Sequence, residues 1–140
     1  VLIVEARYHT EISDYLAQGA TKALEQAGAT YERIAVPGAL EIPVVVAMAA
    51  ETEKYDAYVA LGCVIRSSTY HFEVVCDESA RALGEIAIKN RLAIGNGILT
   101  IENYEQAEER ANPAKKNRGA DAANAALAVL KIKNGFGKAT

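Results

Sequence analysis

Four times along the chain a short apolar run is followed by a segment whose apolar residues recur every three or four positions. The first round pairs residues 1–6, apolar apart from Glu5, with residues 12–27. There Ile12, Leu16, Ala20, Ala23, Leu24 and Ala27 keep helical spacing, and Gly28 supplies a stop. The second joins a strand at 31–36 to a helix that begins at Pro43 and runs to about Thr52, through the turn Pro37-Gly38-Ala39-Leu40-Glu41. A third strand at 55–65 leads through the polar loop 66–70 into a long helix over 71–90. A fourth at 93–100 precedes a short helix, opened by Asn103 with Gln106 three residues on, that reaches about Ala111 before Pro113 interrupts it. A last helix covers 118–133, with Asn134 and Gly135 as its expected end. Near-continuous apolar strands are those covered on both faces. Strand-helix alternation with short connections then specifies an α/β fold: a three-layer αβα sandwich around a parallel sheet with right-handed crossovers.

A chain of 140 residues accommodates one such domain, 1–140, and can bury roughly two-thirds of its unfolded surface without a disulfide or structural metal. Fifteen Lys and Arg against eighteen Asp and Glu leave a net charge of −3, and the basic residues cluster only at 115–118 and 131–138. Nucleic acid is therefore not the expected partner. No run approaches the ~20 apolar residues of a membrane span, and no charged segment with an apolar core opens the chain, so no membrane partner is expected and the expected location is cytoplasmic. The first run starts at Val1 without a Met, which is compatible with residues preceding it. Cys63 and Cys76 are too few for a disulfide framework and lack metal-ligand spacing to His9 or His71, so both are read as buried thiols.

Ligands of parallel α/β sheets bind at the carboxyl ends of the strands. That directs attention to four loops: 7–11, 37–41, 66–71 and the turn after Thr100. The richest is Arg66-Ser67-Ser68-Thr69-Tyr70-His71, where hydroxyls and unpaired N–H groups gather at the start of a helix. Such a site suits a phosphate or carboxylate, although Ser and Thr there also serve as ordinary helix caps. A histidine in the first helical turn faces the positive end of the dipole, which opposes imidazolium formation and suits a general base. His71 is thus the candidate proton-transfer residue, whereas His9 has no comparable partner. Glu41 can accept hydrogen bonds from a polyol or an amine, or can simply favour the start of its helix. Tyr8 can stack on a planar ring or cover the core, and Arg110 and Arg118 read by default as solvated cations.

Three groups of residues in this order resemble the 6,7-dimethyl-8-ribityllumazine synthase family. They are Gly38-Ala39-Leu40-Glu41-Ile42-Pro43; Gly62-Cys63-Val64-Ile65-Arg66 with Thr69 and His71-Phe72; and Gly97-Ile98-Leu99-Thr100 with Glu102-Asn103 and Glu105-Gln106-Ala107. The resemblance covers nearly the whole chain. It implies a flavodoxin-like fold of strand order 2-1-3-4, assembled at least as homopentamers with active sites at subunit interfaces. It also implies the penultimate step of riboflavin biosynthesis, in which 5-amino-6-(D-ribitylamino)uracil and L-3,4-dihydroxy-2-butanone 4-phosphate condense with release of phosphate and water. Neither a metal nor a redox cofactor takes part in that reaction. By matching positions, the resemblance implies that Tyr8 stacks on the pyrimidine, that Ala39, Leu40 and Glu41 flank the ribityl chain, and that Val64 and Ile65 line the ring pocket. Ser68, Thr69 and Arg110 would hold the phosphate, Arg110 from the adjacent subunit, with His71 as the catalytic residue.

The chain departs from the commonest family pattern at three places. Ser67 and Ser68 replace a Gly and a small or acidic residue, and Asn96 stands where many members place Phe or another apolar residue against the ring. Arg118 replaces a Lys near the pyrimidine carbonyls, a swap that keeps the charge but changes shape and hydration. Asp121 matches an acidic family position. These departures define the alternative, a weakly active or inactive paralogue that binds flavin or lumazine. A flavodoxin proper is disfavoured because loop 7–11 has a single hydroxyl besides Tyr8, and a phospho-receiver because the third strand ends Gly62-Cys63-Val64-Ile65 without an aspartate.

Overall fold

The computed structural model describes residues 1–137. Residues 138–140, which include the last lysine of the 131–138 cluster and the end of the 1–140 domain reading, lie outside the described residues. Four parallel strands, β1 (Leu2–Ala6), β2 (Glu32–Val36), β3 (Ala57–Ile65) and β4 (Ala93–Ile101), form one sheet in the order β2-β1-β3-β4. The order 2-1-3-4 is the one the resemblance implied. Helices α1 (Thr10–Gln26), α4 (Tyr104–Ala111) and α5 (Arg118–Gly137) cover one face, while α2 (Ile42–Glu51) and α3 (His71–Asn90) cover the other.

The apolar runs become the middle of the sheet because both their faces are buried. All of β1 and the first six residues of β3 are buried, whereas β2, on the sheet edge, is largely exposed. Ile12, Leu16, Ala20 and Leu24 of α1 pack with Ile3, Val59 and Leu61 on one side; Leu2, Val4 and Tyr58 meet Ile42 and Val46 of α2 on the other. The β1–β3 ladder runs from Leu2 opposite Tyr58 to Glu5 opposite Leu61. Four further residues of β3, 62–65, continue beyond it, paired with β4 alone through Ile65 opposite Ile101. This overhang makes one wall of the cleft described below.

Small residues let α5 approach the sheet. Gly119, Ala122, Ala123 and Ala126 are its buried positions, and they face Gly95 and Gly97 of β4 and the backbone of α1 at Leu16. A Cβ on Gly95 would lie 1.8 Å from the carbonyl oxygen of Ala122, and one on Gly119 2.1 Å from that of Leu16.

Boundaries shift where local signals were overruled. Helix α1 begins at Thr10, two residues before the first apolar position, and Gly28 adopts φ +74° just past its end, as a stop residue should. The turn before α2 contains a short 3₁₀ segment, Ala39–Glu41, and α2 starts at Ile42 with Pro43 in its first turn. Helix α5 does not stop at Asn134 and Gly135; it continues to Gly137. Its final turns are exposed, so no packing opposes continuation and the two residues cost only helix propensity. The cysteines also depart from expectation, since Cys63 and Cys76 are each half-buried rather than buried.

Asn103 caps α4 as its spacing to Gln106 predicted. Its side-chain oxygen accepts from the Gln106 N–H at 2.9 Å, and the Gln106 side chain accepts from the Glu102 N–H at 2.9 Å. Asn103→Ala is expected to cost about 1 kcal/mol of stability, read as a lower urea midpoint with an unchanged slope.

Candidate active site

The carboxyl ends of three strands open into one cleft of about 630 Å³. The turn after β1 supplies Tyr8 and His9, the turn after β2 supplies Ala39, Leu40 and Glu41, and the β3 overhang supplies Cys63, Val64, Ile65 and Arg66. Ser67 and His71 close the far side. Tyr8 is 82% exposed, and its ring meets the chain edge-on at His9, with centroids 4.9 Å apart. The Glu41 carboxylate hangs over Gly38, where an added Cβ would sit 3.6 Å from it, and no cap bond engages it. The cleft therefore offers an aromatic face, an apolar wall and a free carboxylate acceptor. These suit a planar heterocycle carrying a hydroxylated chain. Cys63 faces the same space, but burial pushes its thiol up to about 12, so it stays protonated and unreactive near neutral pH.

The phosphate-type loop is bonded within itself, the Thr69 N–H donating to the Ser67 hydroxyl at 3.4 Å. Tyr70 occupies the N-cap of α3 with no side-chain cap, while the Ser67 and Thr69 hydroxyls bond each other at 3.1 Å. Ser68 and Thr69 lie exposed between the cleft-lining Ser67 and His71, and His71 is the first residue of α3. With no side-chain cap at Tyr70 the start of α3 faces the loop, and the Glu73 N–H there bonds its own carboxylate.

Arg66 was read as the start of this loop and as part of the motif at 62–66, without a role, and it has a more specific place. Its Nε donates to Glu102 at 2.7 Å, its Nη1 donates to Glu73 at 2.6 Å, and its guanidinium lies 4.5 Å from the centre of the Phe72 ring. The Arg66 bond is the leading cause that holds the Glu73 carboxyl below its usual range. Arg66 is the only Lys or Arg among the described residues lining the cleft, and both carboxylates already claim it.

The remaining candidates lie apart. Asn96 and Arg118 line a second, smaller hollow of about 300 Å³ beside edge strand β4 and the start of α5. There Asn96 Oδ1 accepts from the Ile98 N–H at 2.9 Å and Arg118 donates to Asp121 at 3.0 Å. Arg110, in the last turn of α4, reaches the Gln106 carbonyl at 3.4 Å and lines neither space. Within one chain, then, Tyr8, Ala39, Leu40, Glu41, Val64, Ile65 and His71 come together, while Asn96, Arg110 and Arg118 do not join them. His9 lines the cleft although its sequence context gave it no partner.

This division acquires a context from known proteins. The sequence model of 6,7-dimethyl-8-ribityllumazine synthase matches residues 1–134. The chain belongs to the 6,7-dimethyl-8-ribityllumazine synthase family. A 6,7-dimethyl-8-ribityllumazine synthase of Bartonella tribocorum is 57% identical over 138 residues, which cover 98% of this chain and 91% of that protein. Proteins of the same name from Sphingopyxis alaskensis and Agrobacterium fabrum are 53% and 51% identical, each over 98% of this chain and 96% of their own length. Family membership accounts for both the strand order and the grouping of motifs around one cleft. Among the described residues no group of three His, Cys, Asp or Glu side chains is arranged to hold a metal ion, and no helix is long and apolar enough to cross a membrane.

Proposed function

We propose that this chain condenses 5-amino-6-(D-ribitylamino)uracil with L-3,4-dihydroxy-2-butanone 4-phosphate to 6,7-dimethyl-8-ribityllumazine, releasing inorganic phosphate and water. The observation that carries the proposal is the convergence of Tyr8, Glu41, Val64, Ile65 and His71 on one cleft in a member of this family. In this reading the pyrimidine lies between Tyr8 and the Val64-Ile65 wall, and its ribityl chain runs along Ala39 and Leu40 with hydroxyls donated to Glu41. Loop residues Ser68 and Thr69 receive the phosphate of the four-carbon substrate beside the first turn of α3. The amino group of the uracil attacks the ketone and expels one water as the imine forms. Phosphate then leaves by elimination, tautomerisation follows, and ring closure expels a second water. His71 moves protons at the carbon and oxygen atoms that lie over the loop.

Asn96, Arg110 and Arg118 enter the same proposal from a neighbouring copy. Among the described residues lining the cleft, the one Lys or Arg is Arg66, which is already paired twice. Arg110 of an adjacent chain would supply the cation for a phosphate at Ser68 and Thr69, while Asn96 on edge strand β4 and Arg118 at the start of α5 would close over the ring. We accordingly propose a homopentamer as the smallest active assembly, built from single domains spanning 1–140, and a cytoplasmic location in keeping with the family's biosynthetic role.

Purified protein given both substrates should form lumazine, seen by absorbance, in step with inorganic phosphate. His71→Ala should slow turnover on the order of 10²-fold without abolishing it. The residual rate comes from holding the substrates together, an effect that can be worth about 7 to 11 kcal/mol. Tight binding of the ribityl pyrimidine or of riboflavin without phosphate release would instead identify a carrier and overturn the proposal.

A further inference from the structure

We propose that Glu5 is a positioning residue for the ring side of the cleft, acting through Arg7 on the turn that carries Tyr8. The inference rests on the proposed stacking of the pyrimidine on Tyr8. Glu5 interrupts an otherwise apolar strand at the centre of the sheet and is only 3% exposed. Its carboxylate is fully committed. Arg33 of β2 donates to both oxygens, Nε to Oε2 at 2.6 Å and Nη2 to Oε1 at 3.0 Å, and Arg7 Nη1 donates to Oε1 at 2.7 Å. The other end of the Arg7 guanidinium contacts Asp14 on α1. One buried carboxylate thereby ties the end of β1 to the edge strand and, through Arg7, to the helix that follows the turn.

A plain structural role does not account for where this network ends. A strand buried on both faces is most cheaply filled with apolar side chains, and a buried ion pair is weak evidence of stabilisation. Here the arginine it orients is the residue immediately before Tyr8. Tyr8 has no packing of its own to fix it, being 82% exposed with His9 as its ring partner. The place from which the ring projects is therefore set by the backbone at Arg7 and by the first turn of α1, where the Ser13 N–H bonds the His9 carbonyl at 2.8 Å. Pinning Arg7 from both sides removes conformations of the turn that would carry the ring away from the cleft, which lowers the ordering cost of stacking.

The test uses the assembled full-length protein and two probes: 6,7-dimethyl-8-ribityllumazine, titrated by fluorescence, and inorganic phosphate, titrated as an inhibitor of turnover. Arg7→Met leaves the Glu5–Arg33 pair intact, so the strand keeps its buried charge compensated. It should weaken lumazine binding about ten-fold while phosphate inhibition stays within about two-fold of wild type. Glu5→Gln, which removes the charge that Arg7 and Arg33 share and turns one of the two acceptor oxygens into a donor, should show the same split in weaker form. The double variant Arg7→Met/Tyr8→Ala should bind lumazine no more weakly than Tyr8→Ala alone, because Arg7 acts through the ring. Additive losses in the double variant, equal losses for both probes, or wild-type lumazine affinity in Arg7→Met would each overturn the inference and leave the proposed activity standing. Failure of the wild-type protein to bind lumazine would overturn that activity and the inference with it.

Discussion

Gly95→Ala is expected to destabilise the protein by about 3 kcal/mol or more, enough to lower the thermal midpoint by roughly 10 °C or to leave the protein insoluble. The added methyl would stand 1.8 Å from the Ala122 carbonyl oxygen, 2.8 Å from its carbon and 3.1 Å from the Ala126 nitrogen. All three are backbone atoms of α5, so no side-chain rotation relieves the overlap and the helix itself must move off the sheet. Moving it would open the contacts of Ala122, Ala123 and Ala126 with the core and those of Gly119 with α1. Gly84 provides the control. It lies exposed within α3 with nothing within 4 Å of an added Cβ, and alanine there should not lower the midpoint. Comparable urea midpoints for the two variants would show that the close approach of α5 is not a constraint.

Arg110→Ala should reduce kcat/KM by roughly 10- to 150-fold, chiefly by raising KM for the phosphorylated substrate. A hydrogen bond to a charged group is worth about 1.5–3 kcal/mol. The loss should be small for binding of the ribityl pyrimidine alone, since Arg110 lines no part of the Tyr8 cleft. The same substitution tests the sharing of sites between subunits. Glu41→Ala impairs the cleft side and Arg110→Ala the phosphate side, so neither homo-oligomer has an intact site. Co-assembled from equal amounts, the two chains should regain roughly a quarter of wild-type activity, the fraction of interfaces at which an intact cleft meets an intact Arg110. Mixed oligomers no more active than the parents would place the whole site within one chain.

Most of the fold could be read because its elements are set by local burial patterns. The apolar run at β1 and the spacing of α1 each describe a surface that has to be covered, and the sheet covers them. The end of α5 could not be read in the same way. Asn134 and Gly135 only weaken a helix, and a helix whose final turns are exposed carries on through them. The loops at 7–11, 37–41 and 66–71 were legible as cleft walls because strand–turn–helix boundaries fix which loops share one edge of the sheet, whereas Val64 and Ile65 were named only through the resemblance. Arg66 escaped attention beyond its place in the loop and the motif because its partners, Glu73 and Glu102, lie 7 and 36 positions away. The separation of Asn96, Arg110 and Arg118 from the rest follows from β4 as an edge strand, which the resemblance implied and periodicity alone does not reveal. Residues that meet only across copies leave no mark in the periodicity of one chain.

The overhang of β3 has a chemical consequence of its own. Beyond Leu61 the strand is no longer paired with β1 but keeps β4, so residues 62–65 are held straight on one side, and Cys63, Val64 and Ile65 line the cleft. An extended strand presents alternating amide donors and carbonyl acceptors at fixed spacing, the same vocabulary with which a uracil edge is read. Recognition written in peptide groups does not depend on which side chains the strand carries. Conservative changes at Val64 or Ile65 would then reshape the space around the ring and leave the hydrogen-bonding message intact, whereas a proline in this stretch would erase a word of it.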